Sequence, residues 1–255
     1  MKHPLYLPCL FIVITMLSCG GQGKELTYNN SAPSHQVWDQ LLKKHVDSAG
    51  HVNYNGFIAD STTLNNYLTL LSNNPPNTSM WNKEERLAYW INAYNAFTVK
   101  LIIDNYPVSS IRDLHPTFHV PLFNTVWHIK FFKIGEEKFN LDRIEHDILR
   151  KEFNEPRIHF AIVCASYSCP PLRNEAYVAQ RIGEQLEEQA VDFINNPKWN
   201  RISAESLELS SIFKWFKGDF TNGRTLIQFL NQYSKVRIKS NAKVSFMDYD
   251  WSLNE

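Results

Sequence analysis

Several features that mark common classes of protein are absent from this sequence. Lys plus Arg number 26 and Asp plus Glu also number 26, with no basic stripe, which argues against a nucleic-acid partner. There is no internal repeat and no low-complexity segment, so repeat architectures are excluded. Beyond residues 5–17 the chain has no long apolar run, so we expect the remainder to be soluble.

The N-terminal residues 1–18 have the pattern of a signal peptide. The apolar run at 5–17 is too short to span a bilayer but has the length of a signal-peptide core. It ends in MLSCG (16–20), which resembles a bacterial lipobox, so we predict that Cys19 becomes the lipidated first residue. Residues 19–33 would then be a polar tether. The alternative is an ordinary secretion signal followed by a free cysteine.

This N-terminus also predicts the compartment. A lipoprotein of the bacterial cell envelope would face the periplasm or the exterior, with the membrane as its partner through the lipid anchor. A disulfide is permitted in that environment.

Residues 34–255 are predicted to form a single domain. They number roughly 220, which is enough for one large core. Helices and strands mix without strict alternation, and we therefore predict the α+β class. In chain order the predicted elements are helices at 34–48, 62–72 and 84–104, a hairpin at 127–139 with Gly135 at its turn, a helix at 141–153 capped by Asn140, a strand at 158–164, a helix at 174–194, a strand at 206–209, helices at 212–220 and 224–233, and a final strand.

Two amides lie on an otherwise apolar helix. The 84–104 helix is apolar almost all round, which predicts a central position, yet Asn92 and Asn95 are on it. A buried amide costs free energy unless it is hydrogen-bonded, so each should have a dedicated partner. Either both bond to loop backbone, or one of them orients a catalytic group or binds a ligand carbonyl.

The 141–153 helix carries charged residues in the same way. Glu145 falls inside its apolar stripe, and His146 lies at the edge of that stripe. A buried carboxylate needs a hydrogen-bond donor or a cation, since otherwise its pKa rises. Glu145 either pairs with an arginine such as Arg157 and holds the core together, or supplies the orienter of a base; both interpretations stay open.

The segment 158–164 is apolar on both faces, which predicts a central strand. His159 lies at its start and is expected to be partly buried. It is either a core histidine with a satisfied hydrogen bond or a catalytic base.

Cysteine is scarce. Of the four in the chain, Cys9 is in the predicted signal peptide and Cys19 is the predicted lipidation site, so Cys164 and Cys169 would be the only thiols of the mature protein. The pair could form a disulfide that closes a small loop. Alternatively, Cys169 is a nucleophile whose pKa is lowered by the N-terminus of the 174–194 helix. A zinc site is a third interpretation, but the spacing matches no strong zinc signature, so neither a metal nor a cofactor is predicted.

Five segments together resemble the domain of unknown function 547 (DUF-547) family. They are YWINAYNAF (89–97), LDRIEHDIL (141–149), RIHFAIVC (157–164), SCPP (168–171) and IFKWFKGDF (212–220), in the expected order over about residues 80–222. The name of the family declares that its biochemical role is unsettled. For the fold, the resemblance implies a distant relation to papain-like and transglutaminase-like thiol enzymes, in which a central buried helix packs on a small antiparallel sheet.

Those enzymes place a cysteine at the start of the central helix, against a sheet that carries a histidine and then an Asp or Asn. Under the resemblance, 84–104 is the central helix and 158–163 is the histidine strand. The central helix has no cysteine here, since Asn92 and Asn95 occupy that region. Either the nucleophile has moved, with Cys169 as the candidate beside Cys164, or the scaffold has lost thiol chemistry.

The sequence therefore predicts a lipid-anchored protein whose site gathers Asn95, Glu145, His146, His159 and Cys169. As an enzyme it would perform acyl transfer or amide hydrolysis on a peptide or peptidoglycan-like substrate, with Cys169 as the nucleophile and His146 or His159 as the base. Glu145 would orient the base, and a backbone amide or Asn95 would donate to the oxyanion. The alternative is a non-catalytic envelope binding module in which Cys164 and Cys169 form a disulfide.

Overall fold

The computed structural model describes residues 31–118 and 123–255. The predicted signal peptide, Cys9, the predicted lipidation site Cys19 and residues 19–30 of the predicted tether lie outside the described residues. Within the described ranges, no helix combines the length and the apolar character needed to cross a bilayer.

Helices dominate the first part of the described chain. They are α1 (Gln36–His45), α2 (Tyr54–Ala59), α3 (Ser61–Asn73) and α4 (Lys83–Ile103). A capping box starts α4: the Asn82 side chain accepts the N–H of Glu85, and the Glu85 carboxylate accepts the N–H of Asn82. Nearly the whole length of α4 is buried, as its all-round apolar pattern predicts.

The predicted hairpin packs against α4. β1 (Phe132–Ile134) and β2 (Glu137–Phe139) pair antiparallel, and Gly135 lies at the turn with a φ of 59°, a conformation that favours glycine. The ring of Phe97 on α4 stacks on Phe132 with the centroids 3.8 Å apart. The buried helix thus packs on a small antiparallel sheet.

Mostly shorter elements, with the helix Ile182–Asn195 as the exception, complete the described chain. Two 3₁₀ helices, Ile111–Leu114 and Val126–His128, precede the hairpin. After the hairpin the elements are, in chain order, a π-helix (Arg143–Leu149), α5 (Arg150–Phe153), a 3₁₀ helix (Pro156–Phe160), α6 (Ile182–Asn195), β3 (Arg201–Ile202), β4 (Ser206–Leu209), α7 (Ile212–Trp215), α8 (Lys217–Phe220), α9 (Leu226–Leu230) and β5 (Lys243–Phe246). β4 pairs antiparallel with β3 and parallel with β5. This mixture of helices and small sheets confirms the α+β class.

The predicted strand at 158–164 is wrong. Pro156–Phe160 is a 3₁₀ helix, because the proline ring presets a helical φ at the first position and the Glu155 carboxylate accepts the N–H of Arg157. The chain then continues without regular structure to Cys164. His159 therefore lies on a helical turn, and the sheet-borne histidine that the resemblance implies is not found at this position.

The helix predicted at 174–194 begins only at Ile182. The Gln185 side chain instead donates to the Ala176 carbonyl and accepts the N–H of Val178, so this backbone is satisfied without an added helical turn. Cys169 consequently has no helix N-terminus directly after it, and the dipole expected to lower its pKa is missing there.

Two apolar clusters meet at the 3₁₀ helix Pro156–Phe160. Ile158 belongs to a cluster built largely around α1 to α4. Phe160 belongs to a second cluster formed by aromatic side chains of the later helices, including Phe193 and Phe213. His159, between them in sequence, is thereby fixed at the junction of the two clusters.

Candidate active site

One cleft has a volume of about 280 Å³. It lies where α4, the π-helix, α7 and the loop after the 3₁₀ helix Pro156–Phe160 meet. Its lining includes four of the five predicted catalytic residues together with the second cysteine. These residues are Glu145, His146, His159, Cys164 and Cys169.

Asn95, the fifth predicted residue, supports the cleft from behind. Its Nδ2 donates to the Ala161 carbonyl and its Oδ1 accepts the N–H of Val163, both at 2.9 Å. The Asn95 side chain thus makes the hydrogen bonds that a neighbouring strand would make to the irregular backbone before Cys164. Asn92 bonds the backbone of Tyr177 in the same manner. Both amides bond loop backbone, which was one of the two alternatives.

Glu145 projects from the π-helix at the cleft wall, where the Tyr94 hydroxyl donates to its Oε2 at 3.3 Å. Burial, followed by the negative charge of Cys164, raises the pKa of Glu145 to about 8. Its expected pairing with Arg157 is not formed, because Arg157 binds Glu155 and Glu187 instead. At neutral pH Glu145 is therefore a protonated acid in the same cleft as Cys164.

His146 is held by an arginine one turn further along. The Nη1 of Arg150 lies 2.7 Å from His146 Nδ1, and since a guanidinium can only donate, Nδ1 must accept. The ring proton of the neutral form is then on Nε2, 3.6 Å from a carboxylate oxygen of Asp142. Burial lowers the pKa of His146 despite that carboxylate. With its lone pair engaged, His146 is a weak candidate for the base.

His159 is almost fully buried and is positioned by Asp219. Its Nε2 lies 2.7 Å from Asp219 Oδ2, and its ring stacks on Phe216 with the centroids 4.0 Å apart. Burial lowers the pKa of His159 and outweighs the nearby carboxylate. The side chain is 1 % exposed, so a substrate in the cleft does not reach it in this arrangement.

Asp219 links the two histidines through Arg150. Arg150 Nε binds Oδ2 at 2.6 Å and Nη2 binds Oδ1 at 2.9 Å, so the pair is bidentate. Burial alone would raise the pKa of Asp219, but the hydrogen bonds from His159 and Arg150 hold it well below its usual range. Neither Arg150 nor Asp219 is among the site residues predicted from the sequence. Arg150 follows His146 by one turn, and Asp219 is the only acidic residue of the motif at 212–220, so both positions could have been found from the sequence.

Cys164 is the most activated group in the cleft. Its Sγ lies 2.9 Å from the Ser166 hydroxyl and 3.3 Å from the Tyr249 hydroxyl. The hydrogen bond from the Cys169 thiol, followed by those of the two hydroxyls, lowers the pKa of Cys164 to about 6 against the effect of burial. No local sequence pattern marks Tyr249, which reaches the site from 85 residues away.

Cys169 differs from its neighbour although both are free thiols. It is 5 % exposed, and its Sγ accepts the backbone N–H of Cys164 at 3.0 Å. Burial, together with the charge of Cys164, raises the pKa of Cys169. The structure therefore favours Cys164 over Cys169 as the reactive thiol.

Tryptophan rings form one wall of the cleft. Trp215 stacks on Trp251 with the centroids 5.7 Å apart, and Trp127 meets Trp251 edge-on at 5.8 Å. Trp215 is 47 % exposed, a large fraction for an indole. This wall offers a flat apolar surface to a ligand that reaches Cys164.

Metal ligation has no arranged donor set in the part of the chain that the structure describes. No group of three or more His, Cys, Asp or Glu side chains there is placed to hold an ion.

In the comparison with protein families, residues 78–194 match the family described as "Protein of unknown function, DUF547". The match supports the DUF547 resemblance and covers four of the five motifs, while IFKWFKGDF (212–220) lies beyond it. No curated protein and no solved structure matches the chain.

Proposed function

We propose, from the DUF547 match and the geometry of the cleft, that the protein is a thiol-dependent acyl transferase or amide hydrolase. Cys164 would be the nucleophile. The observation that carries the proposal is the set of groups hydrogen-bonded to its sulfur: the Cys169 thiol and the hydroxyls of Ser166 and Tyr249, of which the Ser166 hydroxyl also donates to that of Tyr249. A thiolate is the reactive form of cysteine, and these hydrogen bonds stabilise it at neutral pH.

Glu145 would supply the proton that acylation needs. The Cys164 thiolate attacks a substrate carbonyl carbon and forms a tetrahedral oxyanion, to which the Tyr249 hydroxyl is a nearby donor. When the intermediate collapses, the bond to the leaving amine or alcohol breaks and the leaving group takes the proton of Glu145. A pKa of about 8 keeps that proton available at neutral pH.

Deacylation reverses these roles. Water, or an acceptor amine, attacks the Cys164 thioester while the Glu145 carboxylate takes its proton. The thiolate leaves, and both groups return to their starting states. Glu145 thus takes over the part that the sequence analysis gave to His146 or His159, while the two histidines, Arg150 and Asp219 position the cleft wall.

The proposed setting is the one that the sequence predicts. We propose a lipoprotein of the bacterial cell envelope, anchored through Cys19, that acts on peptide or peptidoglycan-like amides. The aromatic wall of Trp127, Trp215 and Trp251 supports a substrate with flat or ring-shaped groups. A distant relation to papain-like and transglutaminase-like enzymes belongs to the same proposal, with the nucleophile moved to Cys164.

The test uses 4-nitrophenyl acetate as a simple acyl donor. We expect a burst of 4-nitrophenolate equal to the enzyme concentration, followed by slower turnover, with the acetyl group on Cys164. Mass spectrometry of the tryptic peptide 158–173 would locate it, since this peptide contains both thiols of the described chain. Cys164→Ser should lose the burst.

Cys169→Ser is the matched control, because a serine hydroxyl can still accept the N–H of Cys164. It should fold and be acetylated at Cys164. Acetylation of Cys169 in the parent chain, or an undiminished burst in a folded Cys164→Ser variant, would refute the assignment of the nucleophile.

A non-catalytic binding module is the second candidate function, and the half-exposed Trp215 beside Trp251 favours it. In that case no burst appears with any acyl donor, while Trp215→Ala abolishes ligand binding. The predicted disulfide between Cys164 and Cys169 belongs to this candidate, and intact mass with and without reduction would detect it.

A further inference from the structure

The two thiols in the cleft are unequal in a way that acyl transfer does not require. Both cysteines line the cleft, but Cys164 is partly exposed whereas Cys169 is buried. Cys164 is therefore the more accessible of the two thiols to a ligand in the cleft.

The loop between them holds the sulfurs together. Cys169 Sγ lies 3.0 Å from the backbone N of Cys164, and the N–H of Cys169 donates to the Ser166 carbonyl at 3.0 Å. Ala165 has a φ of 61°, a conformation rare for residues with a side chain, which turns the chain back on itself.

The C-terminal segment pins the same loop from outside. The N–H of Tyr167 donates to the Ser252 carbonyl at 2.7 Å, and the N–H of Asp250 donates to the Ser168 hydroxyl at 2.9 Å. These bonds connect residues more than 80 positions apart in sequence. The close approach of Cys169 Sγ to the backbone of Cys164 is therefore a property of the tertiary structure.

We infer that the Cys164–Cys169 pair carries out thiol–disulfide exchange with a disulfide-containing substrate, with Cys164 as the attacking thiol and Cys169 as the resolving thiol. This activity goes beyond acyl transfer, because its substrate is a sulfur–sulfur bond and the protein itself becomes oxidised.

The exchange balances in two steps. The Cys164 thiolate attacks one sulfur of the substrate disulfide, a mixed disulfide forms, and the other substrate sulfur leaves as a thiolate. Cys169 then attacks Cys164 Sγ, the Cys164–Cys169 disulfide forms, and the second substrate sulfur leaves with the proton of Cys169. Overall the substrate disulfide is reduced to two thiols and the pair is oxidised.

The environment of Cys169 suits the second step. Its proton is retained partly because of the negative charge on Cys164. The mixed disulfide removes that charge, so Cys169 becomes easier to ionise only after the first step has occurred. Because the charge on Cys164 controls the ionisation of Cys169, Cys164 attacks the substrate first and Cys169 attacks the mixed disulfide second.

Oxidised glutathione is the probe. The reduced protein is mixed with it at pH 7, quenched with acid, and measured by intact mass and by mass of the tryptic peptide 158–173, without reduction. For the parent chain we expect the peptide to lose two hydrogens, which indicates an internal disulfide, and two molecules of glutathione to be released per protein.

The cysteine variants separate the two steps. Cys169→Ser should stop at the first and retain one glutathionyl group on Cys164, while Cys164→Ser should not react. Far-ultraviolet circular dichroism checks that each variant is folded. If a variant is not folded, the peptide mass of the parent chain still shows whether the internal disulfide forms.

Three results would each overturn the inference: no reaction of the parent chain, a stable glutathionyl adduct on it, or glutathionylation of Cys169 in the Cys164→Ser variant. Failure here is distinguishable from failure of the acyl-transfer proposal, since the 4-nitrophenyl acetate assay contains no disulfide and is judged by an acetyl group on Cys164 of the parent chain.

Discussion

Two groups of side chains in and behind the cleft, here named the thiol end and the arginine end, hold their ionisable residues in different ways. At the thiol end, made of Cys164, Ser166, Cys169 and Tyr249, a sulfur is surrounded by neutral hydroxyl and thiol donors. At the arginine end, made of His146, Arg150, His159 and Asp219, each ionisable group has a charged or lone-pair partner at 2.6 to 2.9 Å.

The difference separates reactivity from positioning. Both carboxylate oxygens of Asp219 already accept hydrogen bonds, two from Arg150 and one from His159. The arginine end is therefore suited to holding side chains in position rather than to reacting with a substrate. Neutral donors stabilise a thiolate without neutralising its charge, so the sulfur stays nucleophilic. The following predictions test this division, beginning with the largest effect.

The first prediction concerns the two thiols. At pH 7 Cys164 should react with iodoacetamide at least about a hundredfold faster than Cys169, because the thiolate is the nucleophile and only Cys164 has a lowered pKa. The rate at Cys164 should rise with pH to a plateau, with a midpoint near 6. Peptide mass spectrometry across a pH series measures both. If the alkylation rate of Cys164 instead has its midpoint at about 8.5, the pKa of an ordinary thiol, then the thiol end does not activate its sulfur and the two ends do not differ in the way described.

The second prediction breaks the arginine end. Asp219→Asn should lower the free energy of unfolding by about 2 to 3 kcal/mol, measured by urea denaturation, because it leaves Arg150 without its charged partner and replaces one of the two accepting oxygens by an NH₂ donor. The reactivity of Cys164 should change little if the two ends act separately.

The pH dependence of that variant has a definite sign. The pKa of Asp219 is lower in the folded chain than in the unfolded chain, so its stabilisation is present at neutral pH and is lost as the pH falls below about 4. Asp219→Asn should lack this acid-dependent loss. Asp147→Asn, which removes an exposed pair with Lys151, is the control and should barely alter stability.

Much of the fold could be predicted from the sequence, because its signals are local. The apolar periodicity of 84–104 and the strand at Ser206–Leu209 led directly to α4 and β4. The strand predicted at 158–164 was wrong, since an apolar run does not distinguish a strand from an irregular segment whose backbone is bonded by a distant side chain. Asn95 provides those bonds, and no local pattern could show it.

The site was only partly predictable for a similar reason. Glu145, His146, His159 and Cys169 all line the cleft, since polar residues in apolar segments are visible in a sequence. Which thiol is the more reactive depends on Tyr249 and on the tertiary fold around the loop. The helix predicted to begin at residue 174 begins at Ile182 instead. Its N-terminus therefore does not follow Cys169 directly and does not supply the expected lowering of the Cys169 pKa.

The third prediction sharpens the account of the thiol end. Tyr249→Phe removes a hydroxyl 3.3 Å from Cys164 Sγ, so the midpoint of alkylation should move up by at most about one pH unit. Tyr167→Phe is the matched control, since this exposed tyrosine lies in the same loop and should leave the midpoint in place. An unchanged midpoint in Tyr249→Phe would show that the hydroxyl does not stabilise the thiolate.

The smallest effect tests whether Glu145 places a second charge at the thiol end. Iodoacetate is an anion and iodoacetamide is neutral, so the ratio of their rates at Cys164 reports the local charge rather than the thiolate fraction. As the pH passes about 8, the pKa of Glu145, its ionisation should lower that ratio a few-fold at low salt. Glu145→Gln should keep the ratio constant over the same range. A ratio that falls equally in both proteins would assign the charge to another group and leave Glu145 without its proposed role as proton donor.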